Sequence, residues 1–96
     1  MESKKKITVK IPSNFIKLNN GLNELTTGEP GSLNEVLNKT VLTNPKLNDA
    51  IKSEDNTFRP YISFSINGVN SRQLDGMETK IKQGDIVMIL SPIAGG

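Results

Sequence analysis

The chain contains neither histidine nor cysteine. Its own side chains therefore offer no imidazole base, no thiolate and no cysteine-type metal site. The chemistry the sequence does offer is an end group. From Pro92 through Ile93, Ala94, Gly95 and Gly96 the side chains shrink until only the terminal carboxylate is left. A thread without side chains fits a narrow channel, and glycine lets another backbone approach closely. A carboxylate is a poor acyl donor until it carries a good leaving group, and this chain has no Cys or His to install one. Pro92, Ile93, Ala94, Gly95 and Gly96 are thus suited to enter a narrow channel and deliver the carboxylate of Gly96. A frayed chain end is the plainer reading of the same two glycines. At a glycine usage of about 7%, a closing Gly-Gly arises by chance in roughly one chain in two hundred.

The element that must hold this tail is the stretch before it. Ile86 to Leu90 is apolar without a break, as in a buried strand. Gly84 and Asp85 mark the turn that starts it, and Pro92, with no N–H, ends its ladder. Val87 and Ile89 point one way, Ile86, Met88 and Leu90 the other. A single helix covers only one face of a sheet, so part of the second set is expected to be exposed. Met88 and Leu90, with Leu74 from an otherwise polar stretch, are the candidates for an apolar partner-binding face. The alternative is that they are shielded by the domain's own loops. Asp85 reads as a turn residue more readily than as a partner for a basic group, and Arg59 and Arg72 as solvated surface arginines.

The chain's 96 residues allow one core, so a single domain over 1–96 is expected, with 91–96 as an extended, flexible tail. Hydrophobic content of 34% against 23% charged is enough to fold. There is no apolar run long enough for a membrane span and no signal-peptide pattern behind Lys4-Lys5-Lys6. Phe15, Phe58, Tyr61 and Phe64 lie outside any basic run, so neither nucleic acid nor membrane is expected as a partner. A cytoplasmic protein, monomeric when free, is the simplest expectation.

Ile7, Val9 and Ile11 alternate on one face of a first strand, stopped by Pro12. After Asn19-Asn20-Gly21, Leu22 to Thr27 is expected to return as a second strand. Ser32 and Glu35 have the capping-box spacing, and Leu33, Val36, Leu37, Thr40 and Val41 recur at helical intervals. Asn44-Pro45 reads as the end of that helix, with Leu47, Ala50 and Ile51 on one further turn or two. Ile62, Phe64 and Ile66 form the core face of the next strand. Asn67-Gly68 then signals a hairpin, with Val69 to Gln73 returning. Lys80 and Lys82 read as the solvent side of a half-turn. The expected core is Ile7, Val9, Ile11, Leu33, Val36, Leu37, Val41, Ile62, Phe64, Ile66, Val87 and Ile89. A mixed sheet of four to five strands with one main helix across one face is an α+β arrangement.

This order of elements, closing in Gly84-Asp85-x-Val87-x-Ile89-Leu90-x-Pro92-x-Ala94-Gly95-Gly96, resembles the MoaD/ThiS family of sulfur-carrier proteins, whose fold is the ubiquitin-like β-grasp. The likeness is sharpest over Gly84 to Gly96 and weaker over Tyr61 to Gly68. The loop Lys46 to Arg59 is longer than in thiamine-type members, and Ser91-Pro92 stands where the small subunit of molybdopterin synthase often has two prolines. Ile11-Pro12 and the run Phe58 to Asn67 look closer to carriers serving cysteine biosynthesis. The resemblance implies that an E1-like adenylating enzyme consumes ATP to activate Gly96, that a sulfur donor protein converts the acyl-adenylate to a thiocarboxylate, and that a downstream synthase takes the sulfur. It implies no bound cofactor or metal, and a co-substrate rather than an enzyme. The competing readings are a protein modifier that forms isopeptide bonds through Gly96, a permanent small subunit of molybdopterin synthase, and a plain binding domain.

Overall fold

A computed structural model describes residues 6–91. Its central sheet is built from β1 (Ile7–Lys10), β2 (Glu24–Thr27), β4 (Ser63–Ile66), β5 (Val69–Asn70) and β7 (Ile86–Leu90), in the order β2-β1-β7-β4-β5. β7 lies in the middle. It runs parallel to β1, with Val9 beside Val87, and antiparallel to β4, with Phe64 opposite Ile89. Two short strands, β3 (Gly31–Ser32) and β6 (Lys80–Ile81), pair separately. The helical layer is α1 (Leu33–Lys39) and α2 (Pro45–Ile51). This is the mixed five-stranded β-grasp that the order of elements suggested.

Alternation places the core. Ile7, Val9, Phe64, Ile66, Val87 and Ile89 pack beneath Leu33, Val36 and Leu37 of α1 and Leu47 and Ile51 of α2. Every residue expected in the core is buried. Phe15, Leu47, Ile51 and Ile81 join it without having been singled out as core. Ile81 is 1% exposed although Lys80 and Lys82 flank it, because β6 is a true strand paired to β3.

The capping box of α1 is complete: Ser32 Oγ accepts from the Glu35 N–H and Glu35 Oε1 accepts from the Ser32 N–H. The helix stops earlier than expected. Thr40 leaves helical geometry at φ −122°, ψ −96°, while its hydroxyl donates back to Val36 O. Asn44-Pro45 begins a helix instead of ending one. Asn44 Oδ1 accepts from the Lys46 N–H, and Pro45, whose missing N–H has no helical partner to lose, occupies the first helical position. The hairpin forms as read, with Asn67 and Gly68 both at positive φ, the requirement of a type I′ turn. Its returning strand is only Val69–Asn70, because Asn70 Oδ1 accepts from the Arg72 N–H and caps a 3-10 turn over Ser71–Gln73.

Candidate functional site

Pro92, Ile93, Ala94, Gly95 and Gly96 lie outside the described residues, so the site is built up to its root at Ser91. β7 carries that root. Two turn residues fix where β7 starts: Asp85 Oδ2 accepts from the Lys82 N–H at 2.8 Å, and Asp85 Oδ1 accepts from Asn67 Nδ2 at 3.0 Å. Asn67 Oδ1 accepts in turn from the Ile86 N–H at 2.9 Å. Asp85 is therefore occupied by the turn, in line with the plainer reading of it. Arg59 likewise donates within the chain, to Asp49 O.

The strand's outward residues stand in a polar frame. Ile86 lies beside Thr8, Met88 between Lys10 and Ser65, and Leu90 opposite Ser63. Ile86 is 42% and Met88 41% exposed, while Leu90 is half-buried. Both helices cover the other face, so this face is open among the described residues. Lys10 is bridged to Glu24 at 3.4 Å across β1 and β2. The structure thus brings Met88 and Leu90 together, with Ile86 as a third member. Leu74 is exposed but off the sheet, at the end of the 3-10 turn 71–73.

Three features here had no place among the sequence candidates. Asn14 Nδ2 donates to Ser91 Oγ at 3.4 Å, tying the tail root to the segment after β1. A groove of ≈390 Å³ opens beside it, lined by Pro12, Ser13, Ile16, Leu90 and Ser91 among others. Tyr61, 49% exposed, precedes the Ser63–Leu90 pair and so lies at the same end of the sheet. The first two bring together positions far apart in sequence, 77 residues for Asn14 and Ser91, which no local pattern encodes. Tyr61 did carry a signal, as an aromatic just ahead of a strand. Among the described residues no group of His, Cys, Asp and Glu is placed to hold a metal ion, and no helix is long and apolar enough to cross a membrane.

A mixed β-grasp sheet whose central strand presents an apolar stripe and leads to Ser91 defines the ubiquitin-like class of fold. The model of the ThiS family matches residues 10–96, and the chain belongs to that family. A putative sulfur carrier protein of Archaeoglobus fulgidus is 40% identical over 48 residues, 50% of this chain and 54% of that one. The chain spans about half the length of the curated relatives it matches. The solution structure of small archaeal modifier protein 1 from Methanosarcina acetivorans superposes with a TM-score of 0.76 at 29% identity, covering 99% of this chain and 100% of that one. CysO in the Amycolatopsis orientalis BexX/CysO complex gives 0.77 at 23% identity, covering 94% and 99%. That last likeness shows the fold. Family members are sulfur carriers and small modifiers rather than enzymes.

Proposed function

We propose that this chain is a sulfur carrier acting through Gly96, in the cytoplasm and as a monomer when free. Its carboxylate attacks the α-phosphate of ATP on an E1-like adenylating enzyme, releasing pyrophosphate and leaving an acyl-adenylate. The persulfide of a sulfur donor protein displaces AMP to give an acyl disulfide. A thiol reductant cleaves that to the thiocarboxylate and a disulfide on the donor, and a downstream synthase transfers the sulfur to its substrate. The observation that carries the reading is the family match over residues 10–96, which takes in Gly95-Gly96. The chain's lack of His and Cys agrees with it, since the catalytic groups then belong to the partners. No cofactor is bound by the carrier itself.

The open face of β7 is the docking surface in this reading. Met88 and Leu90 sit on β7, the strand that precedes the tail in sequence. Leu74, exposed at the end of the 3-10 turn 71–73, is the third residue assigned to that surface. The sulfur acceptor is of the cysteine type on the strength of Ile11-Pro12 and Phe58 to Asn67, with the molybdopterin and thiamine types as competitors. Incubation with the adenylating enzyme of the source organism, ATP and a sulfur donor tests the proposal. Intact mass should show one oxygen replaced by sulfur. The second reading, a protein modifier, is favoured by the likeness to small archaeal modifier protein 1, and would give conjugates joined through lysine instead.

A further inference from the structure

With no cysteine in the chain, its sulfur sits in thioethers alone, at Met1, Met77 and Met88. No thiolate competes with them for a two-electron oxidant. The two that lie among the described residues differ in setting. Met77 is half-buried and packs against the core. Met88 is exposed and stands in the middle of the open face. The outward positions of β7 are Ile86, Met88 and Leu90, so only the central one carries an oxidisable atom.

We propose that Met88 is an oxidation site through which a peroxide turns off docking on the open face, an inference that rests on the docking reading above. The step is a two-electron oxygen transfer. A lone pair of Met88 Sδ attacks one oxygen of hydrogen peroxide, an S–O bond forms and the O–O bond breaks. The proton on the transferred oxygen passes to the departing hydroxide, which leaves as water. Sulfur is oxidised to the sulfoxide and the peroxide is reduced. Reversal takes a sulfoxide reductase, which removes the oxygen as water while two thiols become a disulfide.

The neighbours of Met88 decide what the added oxygen does. Lys10 stands beside it across the β1–β7 ladder, and the two line the same groove. The Lys10 ammonium is a donor suited to an S=O oxygen, so the free body accommodates the sulfoxide. Its core is untouched, because Val87 and Ile89 alone face inward from β7. Docking responds differently. An apolar partner surface laid over Ile86, Met88 and Leu90 strips water from both the new oxygen and the ammonium, which is costly without fresh hydrogen bonds. At Met77 the oxygen meets the core instead, and the loss is one of stability.

The test treats the full chain with hydrogen peroxide, removes the peroxide, and titrates the chain into the adenylating enzyme of the source organism by calorimetry. Met88→Leu and Met77→Leu are handled identically. Fragment masses should place an added oxygen on Met88 ahead of Met77. Oxidation should weaken binding of the parent and of Met77→Leu about tenfold, as for a polar group set into the centre of an interface. Met88→Leu should bind equally before and after peroxide, whatever its starting affinity. Met88→Gln, polar and of similar length, should bind as the oxidised parent does. The melting temperature of the chain oxidised at Met88 should hold, and the two sulfoxide reductases, one for each epimer, should restore its affinity. Oxygen on Met77 first, undiminished binding by the chain oxidised at Met88, an equal loss in Met88→Leu, or a melting temperature that falls with affinity would overturn the role of Met88 while leaving the carrier reading in place. No binding by the untreated chain would overturn the docking reading, and this inference with it.

Discussion

Met88 stands 41% exposed between Lys10 and Ser65 in the middle of the open face. A glutamate there can pair with Lys10, so Met88→Glu should leave the melting temperature unchanged. It should weaken the complex with the adenylating enzyme roughly tenfold, a loss of about 1.4 kcal/mol. Calorimetry of the variant and of its complex reads both. Leu90, half-buried, is the poorer probe, since charge there also disturbs packing. Asp55 gives a second prediction at this scale. The hydroxyls of Ser53 and Thr57 and the Thr57 N–H donate to its carboxylate and hold its pKa below the ordinary 3.8. A carboxylate whose folded pKa is lowered stabilises the fold above the unfolded value, and that contribution fades as pH falls toward the folded one. Acid unfolding of Asp55→Asn should therefore show a smaller loss of stability below about pH 4 than the parent. Side-chain types alone revealed the capping pair Ser32 and Glu35 and the hairpin pair Asn67 and Gly68. They could not reveal Asn14 with Ser91, because that partnership exists only once β1 and β7 are neighbours.

At the scale of elements, alternation was the reliable signal. It set the core face of β1, β4 and β7; burial follows a period of two in β1 and β7, while in β4 Ser65 is buried on the opposite face as well. Boundaries were less legible because one residue pair serves opposite purposes. Asn44-Pro45 stops a helix when read from before it and starts one when read from after it. Thr40, four residues before Asn44, already leaves helical geometry, so Asn44-Pro45 is left to start α2. β6 was hidden for another reason: two lysines around one isoleucine look solvated until β3 supplies a partner. Two substitutions test these assignments by denaturant unfolding. Ile81→Ala should cost about 2–5 kcal/mol, as for a fully buried core residue, whereas an isoleucine on a solvated half-turn would cost far less. Ser32→Ala should cost about 1 kcal/mol through loss of the cap.

For the whole molecule, the proposed function divides the labour between the β-grasp body and the Gly-Gly end. Among the described residues the core ends at Ile89, and Ser91 is tied to the body through Asn14. Removing Gly95 and Gly96 should thus leave the unfolding transition in place and abolish activation. The fold class was legible because element order, turn residues and core pattern agree with one another. The open face was legible only in part, since exposure is a property of the assembled sheet. The most direct measurement is the intact mass of the chain after exposure to adenylating enzyme, ATP and a sulfur donor, with fragmentation to locate the change. Sulfur in place of one terminal oxygen on Gly96 is the predicted result. An unmodified Gly96 under conditions where the enzyme activates its own known substrate, or a carboxylate found only in linkage to lysine, would contradict it.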